Sequence, residues 1–194
     1  VMHSEDGATW VAATAPEANS WSFITYGNGR FVAVSSDGTN QVMYSADGAT
    51  WTPAAAIEAN SWYSVTYGNG RFVAVAADGT NQVMYSADGA TWTAAASAEA
   101  NFWWSVTYGN GRFVAVAYDG TNRVMHSADG ATWTAAAATE ANLWTYVTYG
   151  NGRFVAVAAS GTNRVMVSTP PTLTLTSSTS MANAVNVDAS TDIA

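Results

Sequence analysis

Arginine, glutamate and histidine side chains are where this chain could do chemistry. Arg30, Arg71, Arg112 and Arg153 could grip an anion, and Glu17, Glu58, Glu99 and Glu140 could give or take a proton. The spacing argues otherwise, because each set recurs every 41 residues at one equivalent position. Catalysis needs different groups converging on one substrate, and equivalent positions of a symmetric repeat are held apart. A local role is expected instead: each Arg opens a strand and pairs with an acidic neighbour or bonds turn carbonyls. His3 and His126 stand where other repeats carry Tyr44 and Tyr85, without the companions a metal site requires. The chain has no cysteine, and its Gly-Asn-Gly turns lie between strands rather than before helices, so they make no phosphate cradle. No enzyme activity, metal or cofactor is expected.

The elements that carry these residues repeat with them. Val1-Met2 returns at Val42-Met43, Val83-Met84, Val124-Met125 and Val165-Met166, and residues 42–82 differ from 83–123 at 7 of 41 positions. Within a unit, Trp21 to Tyr26 reads as a first strand and Gly27-Asn28-Gly29 as a hairpin turn, since Asn-Gly accepts positive φ. Arg30 to Ser36 is a second strand, apolar on both faces, with Phe31 and Ala33 on one and Val32 and Val34 on the other. Asp37 to Asn40 turns the chain into a third strand, Gln41 to Ser45; Asp47-Gly48 leads to a fourth, Ala49 to Ala54. The Ala-rich links are too short for independent helices and read as crossovers.

Four antiparallel strands in about 40–45 residues is the spacing of a propeller blade. The predicted fold is therefore all-β, a β-propeller of 41-residue four-stranded blades, four per chain. A linear solenoid of hairpins is the rival, and it fits three tight turns per unit less well. Residues 1–13 supply a third and a fourth strand, and 144–168 a first, second and third. The ring is expected to close by pairing of N- and C-terminal strands, which would leave no open edge, or else to be part of a larger ring of two chains or a longer array. The start at Val1 reads as that of a processed protein or an excerpt.

The third turn reads Ser45-Ala46-Asp47-Gly48-Ala49-Thr50-Trp51, with counterparts at Ser4 to Trp10, Ser86 to Trp92 and Ser127 to Trp133. It resembles the Asp-box of sialidase-like bacterial propellers, with one residue fewer between Asp and Gly. The resemblance covers residues 1–168 and implies a fold rather than an activity. It implies that Asp6, Asp47, Asp88 and Asp129 bond the turn backbone, and that Trp10, Trp51, Trp92 and Trp133 anchor the hairpins. One Asp per turn is too few for a Ca²⁺ loop. At Pro170-Pro171 the pattern stops, and residues 169–194 read as a linker. The tail resembles the opening of bacterial Ig-like domains of the surface-layer type; otherwise it is a disordered polar tail.

Composition narrows the partners. A net charge of −8 with no lysine offers no basic footprint for nucleic acid or anionic lipid, and no apolar run is long enough for a transmembrane helix. The differences between blades are the informative residues: Ser20/Ser61/Phe102/Leu143, Ser22/Tyr63/Trp104/Thr145, Phe23/Ser64/Ser105/Tyr146 and Ser36/Ala77/Tyr118/Ala159. They gather at one end of the blades, around the start of the first strand. There Tyr63, Trp103, Trp104 and Tyr118 with Asn60, Asn101 and Asn142 form a candidate ligand site, the rings stacking on sugars and the amides bonding hydroxyls. The expected function is a non-catalytic, secreted or cell-surface binding module for carbohydrate, its weak sites repeated around a ring. The alternatives are a structural subunit or spacer of an extracellular fibre, with a protein partner or self-assembly, and a degenerate glycosidase-like propeller.

Overall fold

In the computed structural model, which describes residues 1–169, every regular element is a β-strand. A hairpin of β1 (Met2–His3) and β2 (Val11–Ala12) comes first. Three four-stranded meanders follow. The first is β3 (Trp21–Gly27), β4 (Arg30–Ser35), β5 (Val42–Ser45) and β6 (Thr52–Ala54). The second is β7 (Trp62–Gly68), β8 (Arg71–Ala76), β9 (Val83–Ser86) and β10 (Thr93–Ala95). The third is β11 (Trp103–Gly109), β12 (Arg112–Ala117), β13 (Val124–Ser127) and β14 (Thr134–Ala136). A three-stranded sheet of β15 (Trp144–Gly150), β16 (Arg153–Ala158) and β17 (Val165–Val167) is the fourth blade. The fourth strand of each meander starts at Thr52 or its equivalent, later than the sequence predicts, because the aspartate turn occupies the residues before it.

The turns form for the reasons their residues dictate. Asn28 (φ 48°) and Gly29 (φ 75°) link β3 to β4 with Gly27 opposite Arg30, the two-residue turn whose twist matches the strands. The same turn recurs at Asn69, Asn110 and Asn151. The first strands lie side by side in the order β3, β7, β11, β15, so they are the inner strands of consecutive blades. The core lies between blades. Val32, Val34 and Val42 of the first blade pack on Trp62, Val65, Phe72 and Met84 of the second, and the next junction repeats this with Val73, Val75 and Val83 against Trp103, Phe113 and Met125. The second strands of the first three blades, β4, β8 and β12, are thus buried on both faces, as their doubly apolar pattern requires. Gly68 has a packing reason of its own: a side chain there would run into the ring of Tyr108 on the next blade.

The terminal strands do not pair as the sequence analysis expects. β2 pairs with β1, and among the described residues the last strand of the fourth sheet is β17. The reason is a conflict of places. Val1 and Val165 are four repeats apart, so β1 and β17 are equivalent third strands and cannot both lie beside β16. Among the described residues the blades form an arc with open end faces: Ile24 and Tyr26 at one end and Val157 and Val165 at the other are exposed, whereas Val65 and Val34 at internal junctions are buried. Residues 170–194, where an Ig-like opening is expected, lie outside the described residues.

Candidate functional site

The varied residues meet at the inner edge of the arc. Each first strand carries a β-bulge, between Trp21 and Phe23, Trp62 and Ser64, Trp103 and Ser105, and Trp144 and Tyr146. The bulged residues are Ser22, Tyr63, Trp104 and Thr145, one of the varied sets. A bulge re-aims a side chain out of the ladder. These four, with Phe23, Ser105 and Tyr146, line a cavity of about 280 Å³. Phe23 and Tyr146, from the two end blades, approach with ring centroids 6.4 Å apart.

One side of this mouth is aromatic. The Tyr63 and Trp104 rings stack with centroids 4.6 Å apart, and Phe102 stacks on Trp104 at 5.3 Å. Tyr118, from the turn after β12, lies 5.7 Å from Trp104. The structure thus brings Tyr63, Trp104 and Tyr118 together and adds Phe102, which the sequence analysis noted as a varied position without naming it in the site. The cluster draws on the second and third blades alone, since the equivalents of Trp104 in the outer blades are Ser22 and Thr145. Among the described residues the varied positions therefore line one asymmetric mouth rather than equivalent sites repeated from blade to blade.

The other candidate residues are framework. Asn60, Asn101 and Asn142 are each 5% exposed, and their amides donate to the carbonyls of Asn81, Asn122 and Asn163 at 2.8, 2.7 and 2.6 Å. The Asn60 amide also packs against Gly79, which has φ of 90°. Trp103 is wholly buried and donates its indole N–H to the carbonyl of Glu99 at 3.0 Å. All four are thus buried and hydrogen-bonded within the framework rather than turned into the mouth. Nothing in one sequence separates an amide that holds a turn from one that holds a ligand.

Arg30, Arg71 and the carboxylates of the repeat are engaged locally. Arg30 donates from Nη1 to the carbonyl of Asp88 on the next blade at 2.6 Å, and its guanidinium lies over the Tyr44 ring at 5.0 Å. Arg71 sits over Tyr85 in the same way. Glu58 accepts hydrogen bonds from the side chain and backbone N–H of Asn81, which hold its carboxyl below the usual range; Glu17, Glu99 and Glu140 clamp Asn40, Asn122 and Asn163 alike. In the aspartate turn, Asp47 Oδ1 accepts from the backbone N–H of Thr50 at 2.8 Å and Ala49 at 2.9 Å, and from Ser45 Oγ at 2.9 Å. Those bonds, the Thr50 N–H foremost, hold its carboxyl down at about 2. Asp6 and Asp129 are lowered to about 2 by the same contacts, and Asp88 is lowered too. The Trp51 indole closes the turn onto the Gly48 carbonyl at 2.9 Å, and Trp92 and Trp133 do likewise at 3.3 and 3.2 Å. Among the described residues no three His, Asp or Glu side chains group closely enough to hold a metal ion.

The model of the DUF6242 beta propeller domain matches residues 24–143, more than half of the chain. The chain belongs to this family. Solved structures agree on the fold. Virginiamycin B lyase from Staphylococcus aureus superposes with a TM-score of 0.71 at 13% identity, over 81% of this chain and 55% of the lyase. YCF48 bound to D1 peptide gives 0.60 at 17% identity, over 80% of this chain and 52% of YCF48. The computationally designed Ika4 protein gives 0.62 at 15% identity, over 82% of this chain and 96% of the designed one. The chain therefore spans about half the length of the two natural proteins. At such identities the likeness is one of fold. No curated protein sequence matches the chain.

Proposed function

We propose that this propeller is a non-catalytic binding module whose ligand is an uncharged carbohydrate held at the aromatic mouth, on a secreted or cell-surface protein. The observation that carries the reading is the stacked Tyr63–Trp104–Phe102 group beside a cavity lined by hydroxyl side chains. Apolar faces of sugar rings cover aromatic faces, and the Ser22, Thr145 and Tyr146 hydroxyls offer the polar contacts. Among the described residues no charged side chain lines that cavity, which suits a neutral ligand. The reading as non-catalytic draws on the glutamates and on Arg30, which the contacts given above tie to turns. The aspartate turns are read as a shortened Asp-box with a structural role.

A second reading has an observation of its own. YCF48, one of the structural neighbours, is solved with a bound peptide, and an aromatic mouth of this kind also accepts an apolar peptide side chain. A glycan array, run beside a library of extended peptides, separates the two. We expect saturable binding to neutral glycans that falls at least about tenfold in Trp104→Ala, with the melting temperature unchanged. Binding of peptides alone would give the site to a protein partner. Binding that is indifferent to Trp104→Ala would remove the mouth from either account.

A further inference from the structure

At the internal junctions the tryptophan of the aspartate turn seals the space between its own sheet and the preceding blade. Trp92 joins Phe72 and Met84 against Val32, Val34 and Val42; Trp133 joins Phe113 and Met125 against Val73, Val75 and Val83. At the last junction the same wall is present, with Phe154 and Met166 facing Val114, Val116 and Val124. The sequence position that corresponds to Trp133 there is Thr174. Between these walls lies a cavity of about 400 Å³, lined also by Arg112, His126 and Ser168. Its walls are the equivalents of those that close on Trp92 and Trp133 at the internal junctions.

A further aspartate turn stands at the other end of the chain. Residues Ser4–Trp10 make a complete aspartate turn, in which Asp6 accepts from the N–H of Ala8 at 2.8 Å and Thr9 at 2.7 Å, and the Trp10 indole donates to Gly7 O at 3.2 Å. Yet Trp10 is 54% exposed where Trp51, Trp92 and Trp133 are 6–9%, and Met2 is 63% exposed where Met43, Met84 and Met125 are buried. The segment after β2 is seated on the first blade, with Ala13 and Ala15 against Trp21, Phe31 and Trp51. Trp10 is thus built and hydrogen-bonded like the buried tryptophans but left in water.

We propose that the N-terminal hairpin of a second copy of this chain enters the cavity between the third and fourth blades. Trp10 takes the place that Trp92 and Trp133 hold at their junctions. β1 lies beside β16 in the position of its repeat-equivalent β17, so that like is exchanged for like and the hairpin moves as a unit. The first blade of the incoming copy then covers Val157 of β16, repeating the junction already made within the chain. The chain's own hairpin is held on its first blade, and the Phe23 and Tyr146 rings already meet at the inner edge. Drawing the end blades together to seat that hairpin in the same molecule would have to displace those rings; a second copy need not. The contact is head-to-tail, so it builds a closed ring or an open chain of copies.

Native mass spectrometry and sedimentation of the full chain over a wide concentration range test this. The mass is expected to rise to multiples of one chain. Trp10→Ala, at a residue exposed in the single copy, should weaken association at least about tenfold and leave the circular dichroism spectrum unaltered. Val157→Arg should do the same from the receiving face. Mixing the two variants should restore a pair but no larger species, because Trp10→Ala keeps a sound cavity and Val157→Arg a sound hairpin. A mass of one chain at every concentration would overturn the proposal, as would association indifferent to both substitutions or a mixture that fails to pair.

Discussion

At the scale of single residues, the carboxylates here act on the backbone rather than on a substrate. Asp47, with its carboxyl held down at about 2 by the Thr50 and Ala49 N–H groups, favours the fold only while ionised. A depressed carboxylate contributes stability above its unfolded value, near 3.8, and loses that contribution as pH falls through the folded value. Asp6, Asp129 and the lowered Glu58 set add in the same sense. The melting temperature should therefore hold from neutrality down to roughly pH 4.5 and fall steeply toward pH 2. Asp47→Asn should lower it at pH 7 and flatten the acid limb, and an acid limb as steep as the parent's would contradict the assignment. These turn roles were legible, because Ser, Asp, Gly and Trp at fixed offsets have one local solution. The buried asparagines were not. Asn101 stands beside Trp103 and Trp104 in sequence, but its amide reaches Asn122, 21 residues away, a pairing set by the turn after β12. Asn101→Ala should accordingly lower stability and leave ligand affinity to the folded protein intact, as thermal melts beside a binding titration would show.

At the scale of elements, stability resides in the junctions between blades. Trp92 fills the space between the first and second blades, so Trp92→Ala should cost roughly 3–5 kcal/mol; chemical denaturation that leaves the midpoint unmoved would refute its placement. Gly68→Ala should destabilise by a different route, because the added methyl meets the Tyr108 ring of the next blade. Strand order and turns could be read from the sequence because hairpin chemistry is local and strand faces alternate. The β-bulge at Tyr63 and Trp104 could not, since an extra residue in one strand is defined only by its partner's register. That bulge is what turns a varied position into the lining of a mouth.

At the scale of the whole molecule, near-identical blades surround one asymmetric feature. Repetition supplies the scaffold, and departures from repetition at Tyr63, Phe102, Trp104 and Tyr118 place aromatic rings on one side of the inner edge. The blade count and the direction of the chain followed from the 41-residue period. How the ends meet did not, because β1 and β17 carry equivalent sequences and either satisfies the same neighbours. The central claim is that this one mouth is where a ligand binds. Indole N–H resonances of the tryptophans, followed by NMR during titration with neutral oligosaccharides, address it directly. Trp104 should shift in a saturable manner while the buried Trp62, Trp103 and Trp144 stay in place. Saturable shifts confined to Trp10 or the other tryptophans, with Trp104 silent, would contradict the account.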